Sequence, residues 1–142
     1  MYQRVGSFKH AQEIANQWTR CRLDMSPTGY GSTSDRIANV REVFRPFVRD
    51  LFPSEWAYTM LAVVFPNGSI PPHKDGPLKI GFKRYHLILQ TNEHSWNMHD
   101  GEWQQFEEGG VYTMECTDTH AAVNWGAEPR IHLVIDTDEI SL

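Results

Sequence analysis

Hydrophobic residues recur at helical spacing in the first part of the chain. Between residues 8 and 21 the apolar positions are Phe8, Ala11, Ile14, Ala15, Trp18 and Cys21. Residues three or four positions apart lie on one face of an α-helix, and Ser7 can cap its first turn. We therefore predict a helix that begins after Ser7 and ends near Leu23.

A loop and a second helix are predicted next. Residues 24–34 are rich in Ser, Thr, Gly and Pro, a composition typical of a loop. A second apolar face runs from residue 35 to residue 51, with Pro46 inside it. Because proline removes a backbone donor from a helix, we expect a kink or two short helices, which Pro53 ends. Both helical regions are expected to brace the outside of a sheet.

From residue 56 the period changes to that of β-strands, with short stretches rich in aromatic and β-branched residues between turn signals. Eight strands are predicted, at residues 56–65, 70–75, 83–90, 95–98, 102–106, 111–116, 120–125 and 130–135. Short strands with no helix between them are typical of an antiparallel sandwich or barrel. The predicted fold is mainly β with N-terminal helices. It is a double-stranded β-helix, or cupin-like jelly roll, formed as one domain over residues 1–142 with helical support in 1–55 and the barrel in 56–142.

Composition narrows the class of partner. The formal net charge is −5 and there is no basic run, which disfavours a nucleic-acid binder that works through bulk electrostatics. The N-terminus lacks the apolar stretch of a signal peptide, and the longest apolar run is too short to span a bilayer. Two cysteines are too few for a disulfide framework. We expect a cytoplasmic protein that binds neither nucleic acid nor membrane.

Three residues are candidate metal ligands. His73 and Asp75 are two positions apart, so on a strand both side chains point to the same face and can reach one ion. His120 begins a late strand that a jelly roll folds back beside the second. Two imidazoles and one carboxylate form the facial triad of non-haem Fe(II) oxygenases. The two-residue pattern is common by chance, however, and His73 can equally be a turn histidine after the prolines at residues 71–72.

Two arginines lie on strands that are apolar on both faces. Strand parity groups Arg84 with His86, and Arg130 with His132. An arginine inside the barrel would need an anion, and a dicarboxylate can pair with its guanidinium through two hydrogen bonds. The alternative is that both arginines point outward as solvated strand charges.

The position of Arg130 is compatible with such a diacid. If residues 126–129 form a tight turn, Arg130 pairs near Asn124, about four residues or roughly 13 Å along the sheet from His120. A five-carbon diacid that chelates the metal at one end, such as 2-oxoglutarate, could bridge that distance to the guanidinium.

Four segments together resemble a known family. They are HKD at 73–75, RYHLILQTN at 84–92, DGEWQQF at 100–106 and HAAVNWGAEPRIHLVID at 120–136. Their combined spacing, over residues 70–136, resembles the aspartyl/asparaginyl β-hydroxylase family of Fe(II)- and 2-oxoglutarate-dependent oxygenases, most closely its cis-proline hydroxylase-like branch. The resemblance implies metal ligands at His73, Asp75 and His120. It implies that Arg130 holds a carboxylate of 2-oxoglutarate, with Arg84 and His86 in the cosubstrate pocket.

Asp75 bears on the branch within that family. The animal aspartyl/asparaginyl enzymes lack the carboxylate ligand, whereas this chain keeps it, which favours the bacterial small-molecule branch. The resemblance thus implies a dioxygenase that uses Fe(II), 2-oxoglutarate and dioxygen to hydroxylate a carbon of an amino acid, free or in a peptide.

Four further residues are candidates for substrate contacts, and two other functions stay open. The residues are Asn124 and Trp125, at the end of the strand of His120, and Trp96 and Trp103, in the middle hairpin. A tryptophan in such a hairpin is more often part of the core than a substrate platform. The other functions are a cupin-type metalloenzyme that does not use 2-oxoglutarate and a metal-containing small-molecule binding protein. Aerobic production of succinate from 2-oxoglutarate separates all three.

Overall fold

The computed structural model of the protein describes residues 1–34, 39–138 and 140–141. In chain order the strands are β1 (Gln3–Ser7), β2 (Asp24–Met25), β3 (Tyr30–Ser34), β4 (Tyr58–Val64), β5 (Gly68–His73), β6 (Lys83–Gln90), β7 (Ser95–His99), β8 (Glu102–Gln104), β9 (Gly110–Thr113), β10 (His120–Asn124) and β11 (Arg130–Thr137). The helices are α1 (Ala11–Ala15), a 3-10 helix (Trp18–Arg20) and α2 (Val40–Val48).

The strands form two antiparallel sheets. The large sheet has the order β1-β9-β6-β11-β4-β3-β2, and the small sheet has the order β5-β10-β7-β8. From β4 onward the chain passes repeatedly between the sheets, as it does in a jelly roll. Arg130 of the large sheet donates from Nη2 to Asn97 Oδ1 of the small sheet at 2.8 Å. The inner faces therefore meet across a shared interior, and the mainly β architecture predicted from the sequence is present.

The outer face of the large sheet carries the main hydrophobic core. Val43 and Phe44 of α2 belong to the same buried cluster as Leu87 of β6 and Leu133 of β11. Each fully buried leucine contributes roughly 1.5–3 kcal/mol relative to an exposed one. Because strand residues alternate between faces, the neighbours of these leucines, such as His132, point into the sandwich. The central strands are thus buried on both faces, as their sequences indicate.

The eight strands predicted after residue 56 are all present, as β4 to β11. The bounds of β6 are those predicted, and the ends of the others differ by up to three residues. Turn residues separate them as expected: Asp100 and Gly101, for example, both have positive φ between β7 and β8. Periodicity and turn chemistry were sufficient in this part of the chain.

The helix predicted to begin after Ser7 and end near Leu23 is only partly present, as α1 and the 3-10 helix. Residues up to Ser7 form β1, which pairs with β9, and the α-helix is limited to α1. His10 has a φ of 63°, outside the right-handed helical region, so no helix can run through it. The local 3.6-residue period is real, but pairing with a distant strand determines the structure of the first residues.

The loop predicted for residues 24–34 is also partly wrong. This segment contains β2 and β3, and β3 pairs with β4 along its whole length, from Tyr30 opposite Val64 to Ser34 opposite Met60. In β3, alternate residues are buried, but the buried ones, Gly31 and Thr33, are too small to produce a hydrophobic pattern in the sequence. Residues 1–55 therefore contribute three strands to the large sheet in addition to the helices.

Pro46 lies inside a single helix, α2, rather than between two short ones. The proline removes one backbone hydrogen bond, yet this nine-residue helix continues through it to Val48. The predicted start of the helix, at residues 35–38, lies outside the described residues. No helix in the described part of the chain is long and apolar enough to cross a membrane.

Candidate metal centre

The three residues predicted as metal ligands lie together at one end of the small sheet. His73, the last residue of β5, pairs directly with His120, the first residue of β10. Asp75 follows two positions later, and one ligand atom from each residue lies within 4.8 Å of the others. Asp75 Oδ2 is 3.2 Å from His120 Nε2, and Oδ1 is 3.7 Å from His73 Nε2. Two imidazoles and a carboxylate thus converge as a facial triad requires.

Backbone carbonyls orient both histidine rings. The Nδ1 atom of His73 lies 2.8 Å from the carbonyl oxygen of Pro71, and that of His120 lies 2.8 Å from the carbonyl oxygen of Asp118. A carbonyl can only accept, so Nδ1 carries the hydrogen in each ring. When the rings are neutral, the Nε2 atoms, which face Asp75, therefore carry the lone pairs that bind metal.

The Asp75 carboxyl is held in its charged form. Its pKa is lowered chiefly by the hydrogen bond with His120, and the charge of Arg84 acts in the same direction. Partial burial opposes these effects without cancelling them. An ionised carboxylate beside two imidazoles is a suitable ligand set for a divalent transition metal, which displaces any proton on Nε2 when it binds.

Arg84 is bound to two carboxylates. Its Nη1 donates to Asp75 Oδ2 at 2.7 Å, while Nε and Nη2 donate to the two oxygens of Asp136 at 2.8 Å each. Burial alone would lower the pKa of Arg84, but the hydrogen bond and charge of Asp136, followed by the charge of Asp75, raise it above its usual value. The guanidinium is therefore a permanent cation that links β6, β11 and the metal centre.

The triad opens on a cavity of about 390 Å³ between the two sheets. Its wall includes the candidate ligands, three tyrosines, the two arginines of the sequence motifs and several small or apolar residues: Tyr2, Tyr30, Tyr58, Met60, Ala62, Ile70, Pro71, His73, Asp75, Arg84, His86, His120, Ala122, Arg130 and Val134. A cavity of this volume is in the range of small-molecule sites.

Arg130 lies inside the sandwich, not on its surface. Only 4% of the residue is exposed, and Nη2 donates to Asn97. Its Nε and Nη1 atoms are buried and have no hydrogen-bond partner among the described residues. Burial lowers the pKa of Arg130 to about 10, so it stays protonated at neutral pH. A buried cation with unpaired donors is costly, and a carboxylate in the cavity would satisfy it.

His86 supplies a second polar group to the same wall. Its Nδ1 lies 3.2 Å from Nδ1 of His132, and its Nε2 is buried with no partner in the described part of the chain. Burial, assisted by the charge of Arg130, lowers the pKa of His86 to about 3. His86 is therefore a neutral imidazole at physiological pH.

The predicted pairing of Arg130 near Asn124 is wrong. The two strands belong to different sheets, and Arg130 pairs with Val64 of β4. Residues 124–130 cross between the sheets instead of forming a hairpin. Arg130 and His120 consequently line the same cavity from different sheets, and a distance counted along one sheet does not apply.

The structure does not bring Asn124, a candidate substrate contact, to the cavity at the metal ligands. Its side chain is fully buried and does not line the cavity. Its Nδ2 donates to the carbonyls of Val64 and Glu128 at 2.9 and 2.8 Å, and its Oδ1 accepts from Ser95 Oγ and Gly126 N. With donors and acceptor engaged by the protein, the amide has no free group for a ligand.

The three candidate tryptophans lie away from the metal. Trp96, Trp103 and Trp125 line a separate apolar cavity of about 280 Å³ with Val123. Trp96 is adjacent in β7 to Asn97, whose side chain reaches inward to Arg130, so Trp96 must point to the outer face of the small sheet. The structure therefore does not bring these residues to the metal site.

Two residues of the site were missed from the sequence. Tyr2 lines the cavity just before β1, and burial raises its pKa to about 12. No periodic signal marks it, because the pairing of β1 depends on a distant strand. Asp136 could have been found, since it shares strand parity with Arg130 and His132 and so faces the interior.

Comparison with known proteins places these observations in a family. A sequence profile described as Aspartyl/Asparaginyl beta-hydroxylase matches residues 2–139. An L-proline cis-4-hydroxylase of Rhizobium meliloti is 32% identical over 80 residues, which are 56% of this chain and 29% of that protein. The chain thus spans less than a third of this relative.

Solved structures agree with the jelly roll. KdgF from a Halomonas species superposes with a TM-score of 0.53 at 11% identity, covering 95% of this chain and 96% of that one. An RmlC-like cupin from Shewanella frigidimarina superposes with a TM-score of 0.53 at 8% identity, covering 96% and 95%. At such identities the likeness confirms the predicted cupin-like fold alone. Because the profile match extends over nearly all of its residues, the chain belongs to the aspartyl/asparaginyl beta-hydroxylase family.

Proposed function

We propose that the chain is an Fe(II)- and 2-oxoglutarate-dependent dioxygenase that hydroxylates a carbon of an amino acid, free or within a peptide. One observation carries the proposal. The triad of His73, Asp75 and His120 opens on a cavity that is also lined by Arg130, a buried cation with two nitrogens that have no partner among the described residues. A metal centre and a carboxylate-binding cation in one small cavity match what such an enzyme requires.

The residues present fit the iron. The hydrogen bonds from the histidine Nδ1 atoms to backbone carbonyl oxygens direct the two Nε2 lone pairs, and the carboxylate of Asp75 supplies negative charge. Three protein ligands leave the other coordination positions open. With the metal bound, dioxygen would oxidise 2-oxoglutarate to succinate and carbon dioxide and place its second oxygen atom in a substrate C–H bond.

Arg130 and His86 fit the cosubstrate. The unpartnered Nε and Nη1 of Arg130 can donate to both oxygens of one carboxylate, the geometry in which arginine binds this group most strongly. His86 is neutral, so it can add a hydrogen bond from Nε2 without a second positive charge. The low-dielectric interior strengthens these bonds and excludes water.

The remaining space favours a small substrate. A volume of about 390 Å³ accommodates a diacid and one amino-acid side chain or free amino acid, but no folded domain. Tyr30 and Tyr58 form part of the wall from the large sheet. Similarity to an L-proline cis-4-hydroxylase supports an amino-acid carbon as the target.

Turnover with defined substrates tests the proposal. The protein is loaded anaerobically with Fe(II), supplied with 2-oxoglutarate and air, and incubated with each amino acid and with short peptides. We expect succinate together with a product that gains one oxygen atom, and loss of both in His120→Ala. The matched control is His94→Ala, an exposed histidine outside the cavity, which should behave as the unaltered protein.

The outcomes also separate the alternatives. Metal binding with turnover of a substrate but without succinate would indicate a cupin-type metalloenzyme that does not use 2-oxoglutarate. Metal binding without any turnover, for every compound offered, would indicate a binding protein. Either result contradicts the proposed dioxygenase.

A further inference from the structure

We propose that Asp136 is a positioning residue of the metal centre, which acts through Arg84 to fix the carboxylate of Asp75. The inference rests on the proposed function only in that Asp75 ligates a metal ion, and it requires neither 2-oxoglutarate nor a particular substrate. Asp136 lies on β11, and nothing in the triad itself assigns it a role.

The contact between Asp136 and Arg84 fixes the guanidinium in one plane. Nε and Nη2 of Arg84 each lie 2.8 Å from a different oxygen of Asp136. Two parallel charged hydrogen bonds of this kind are strong and geometrically specific. Once two of the three nitrogens are held, the direction of Nη1 is determined, and Nη1 points at Asp75 Oδ2 at 2.7 Å.

The rigid part of this chain of contacts is the large sheet. Arg84 and Asp136 are opposite each other on the neighbouring strands β6 and β11, and Asp136 is only 4% exposed. Asp75, in contrast, lies in the segment after β5 and its side chain is 31% exposed. The backbone N–H of Asp75 donates to the carbonyl of Cys116 at 2.9 Å. A carboxylate on a connecting segment is thereby fixed by a frame made of central strands.

The geometry leaves the ligand function of Asp75 intact. Arg84 binds Oδ2, whereas Oδ1 remains 3.7 Å from His73 Nε2 and available to an ion between the histidines. Residues that hydrogen-bond to a ligand typically change metal affinity by 10- to 100-fold when they are removed. Asp136 is one contact farther away, but without it Arg84 loses two of its three bonds to carboxylates.

A purely structural role for Asp136 makes a different prediction. In that case Asp136 only neutralises the buried charge of Arg84, and its loss would weaken the fold whether or not Asp75 is present. The positioning role instead requires that the effect of Asp136 on metal binding disappear when Asp75 is removed. A double-mutant cycle separates the two roles.

The experiment measures the dissociation constant of Co(II), added alone, for four proteins. These are the unaltered chain, Asp136→Asn, Asp75→Ala and the double variant. We expect Asp136→Asn to weaken Co(II) binding by about 10- to 100-fold when Asp75 is present and to have no effect in the Asp75→Ala background. Asp138→Asn, an exposed carboxylate just after β11, is the matched control and should leave the constant unchanged.

Two results would overturn the inference. One is unchanged Co(II) affinity in Asp136→Asn, and the other is an equal loss in both backgrounds. If Asp136→Asn does not fold, Arg84→Lys tests the same chain of contacts, because lysine keeps the charge but cannot form the fork with Asp136. Full affinity in folded Arg84→Lys would also reject the inference. If the unaltered chain binds no Co(II), the metal centre itself fails, and with it the proposed function.

Discussion

At the scale of single residues, hydrogen bonds within the protein already orient the side chains of the candidate metal centre. Both candidate histidines use the same local device, a hydrogen bond from Nδ1 to the carbonyl oxygen two positions earlier in the chain. Because the partners are close in sequence, ordering the ring costs little additional chain entropy. Each bond sets the tautomer and directs Nε2 toward Asp75, so the protein has already met most of the geometric requirement of the ion.

The first prediction concerns that ion. We expect one Fe(II) per chain, lost in His73→Ala and in His120→Ala, because two remaining ligands hold a labile divalent ion poorly. Asp75→Ala should weaken binding less, since both directed imidazoles remain. Anaerobic titration with Fe(II) measures the stoichiometry, and His94→Ala serves as control. Full iron occupancy in His120→Ala would show that the triad is assigned incorrectly.

The second prediction concerns Arg130. In Arg130→Ala the KM for 2-oxoglutarate should rise strongly while Fe(II) remains bound, because a buried pair of charged hydrogen bonds typically contributes roughly 2–4 kcal/mol. Steady-state succinate production measures the KM, and Arg22→Ala, an exposed arginine, is the control. An unchanged KM would mean that the carboxylate-binding site lies elsewhere.

Strand parity grouped His73 with Asp75, and Arg130 with His132, and the apolar residues on both faces of the strand favoured an interior Arg130 without excluding an outward one. Parity could not decide which face of β7 is interior, because Trp96 and Asn97 are both plausible core residues when their strand is considered alone. The answer depends on the contact of Asn97 with Arg130, which joins strands of two sheets. Parity groups residues on a face, but only the tertiary structure assigns that face to the cavity.

At the scale of elements, the connection between β10 and β11 links the candidate metal centre to Arg130, the arginine proposed to bind a carboxylate. His120 begins β10 and Arg130 begins β11, and the segment between them crosses from the small sheet to the large one. Asn124 fixes this crossing, since its side chain bonds to Val64 in β4 and to Glu128 in the connection itself. The relative position of the two functional groups therefore depends on one buried amide.

The third prediction tests that amide. Asn124→Ala should lower the free energy of unfolding by roughly 2–4 kcal/mol, because it leaves several buried backbone groups without partners. Urea denaturation measures the change, and Asn16→Ala, an exposed asparagine outside the sheets, is the control. If Asn124→Ala lowers the free energy of unfolding no more than Asn16→Ala does, then water or a relaxed backbone replaces the hydrogen bonds of the amide.

Strands that follow from local sequence patterns were predictable, whereas strands that depend on a partner elsewhere in the chain were not. The strands from β4 onward follow from alternation and turn residues, which are local properties. β1 instead depends on β9, more than a hundred residues away, and β3 depends on the apolar strand β4. The residues of β1 are too polar to reveal a strand, and no element was predicted for them, whereas the small residues of β3 were predicted to form a loop.

At the scale of the whole molecule, the interior combines a buried cation with two buried neutral histidines. His86 and His132 have depressed pKa values, mainly because burial disfavours their charged forms, and the charge of Arg130 acts in the same direction. The pKa of His86 is about 3, and that of His132 is well below the ordinary histidine value. The unfolded chain binds protons at these residues near pH 6.5, whereas the folded chain does not. Global stability must therefore depend on pH.

The last prediction follows from the sign of this linkage. Well above pH 6.5 both histidines are neutral in both states, and their titration contributes nothing to the pH dependence. As the pH falls from 6.5 toward 4, the unfolded state takes up protons that the folded state rejects, so the free energy of unfolding decreases. Each histidine contributes a slope of up to about 1.4 kcal/mol per pH unit. The lowered pKa of Asp75 acts mainly below this window, because its unfolded value is near 4.

Chemical denaturation of the metal-free protein between pH 7 and pH 4.5 should show this loss of stability, with a smaller slope in His132→Gln and an unchanged slope in His94→Ala. An equal slope in His132→Gln and the unaltered chain would mean that His132 accepts a proton in the folded protein.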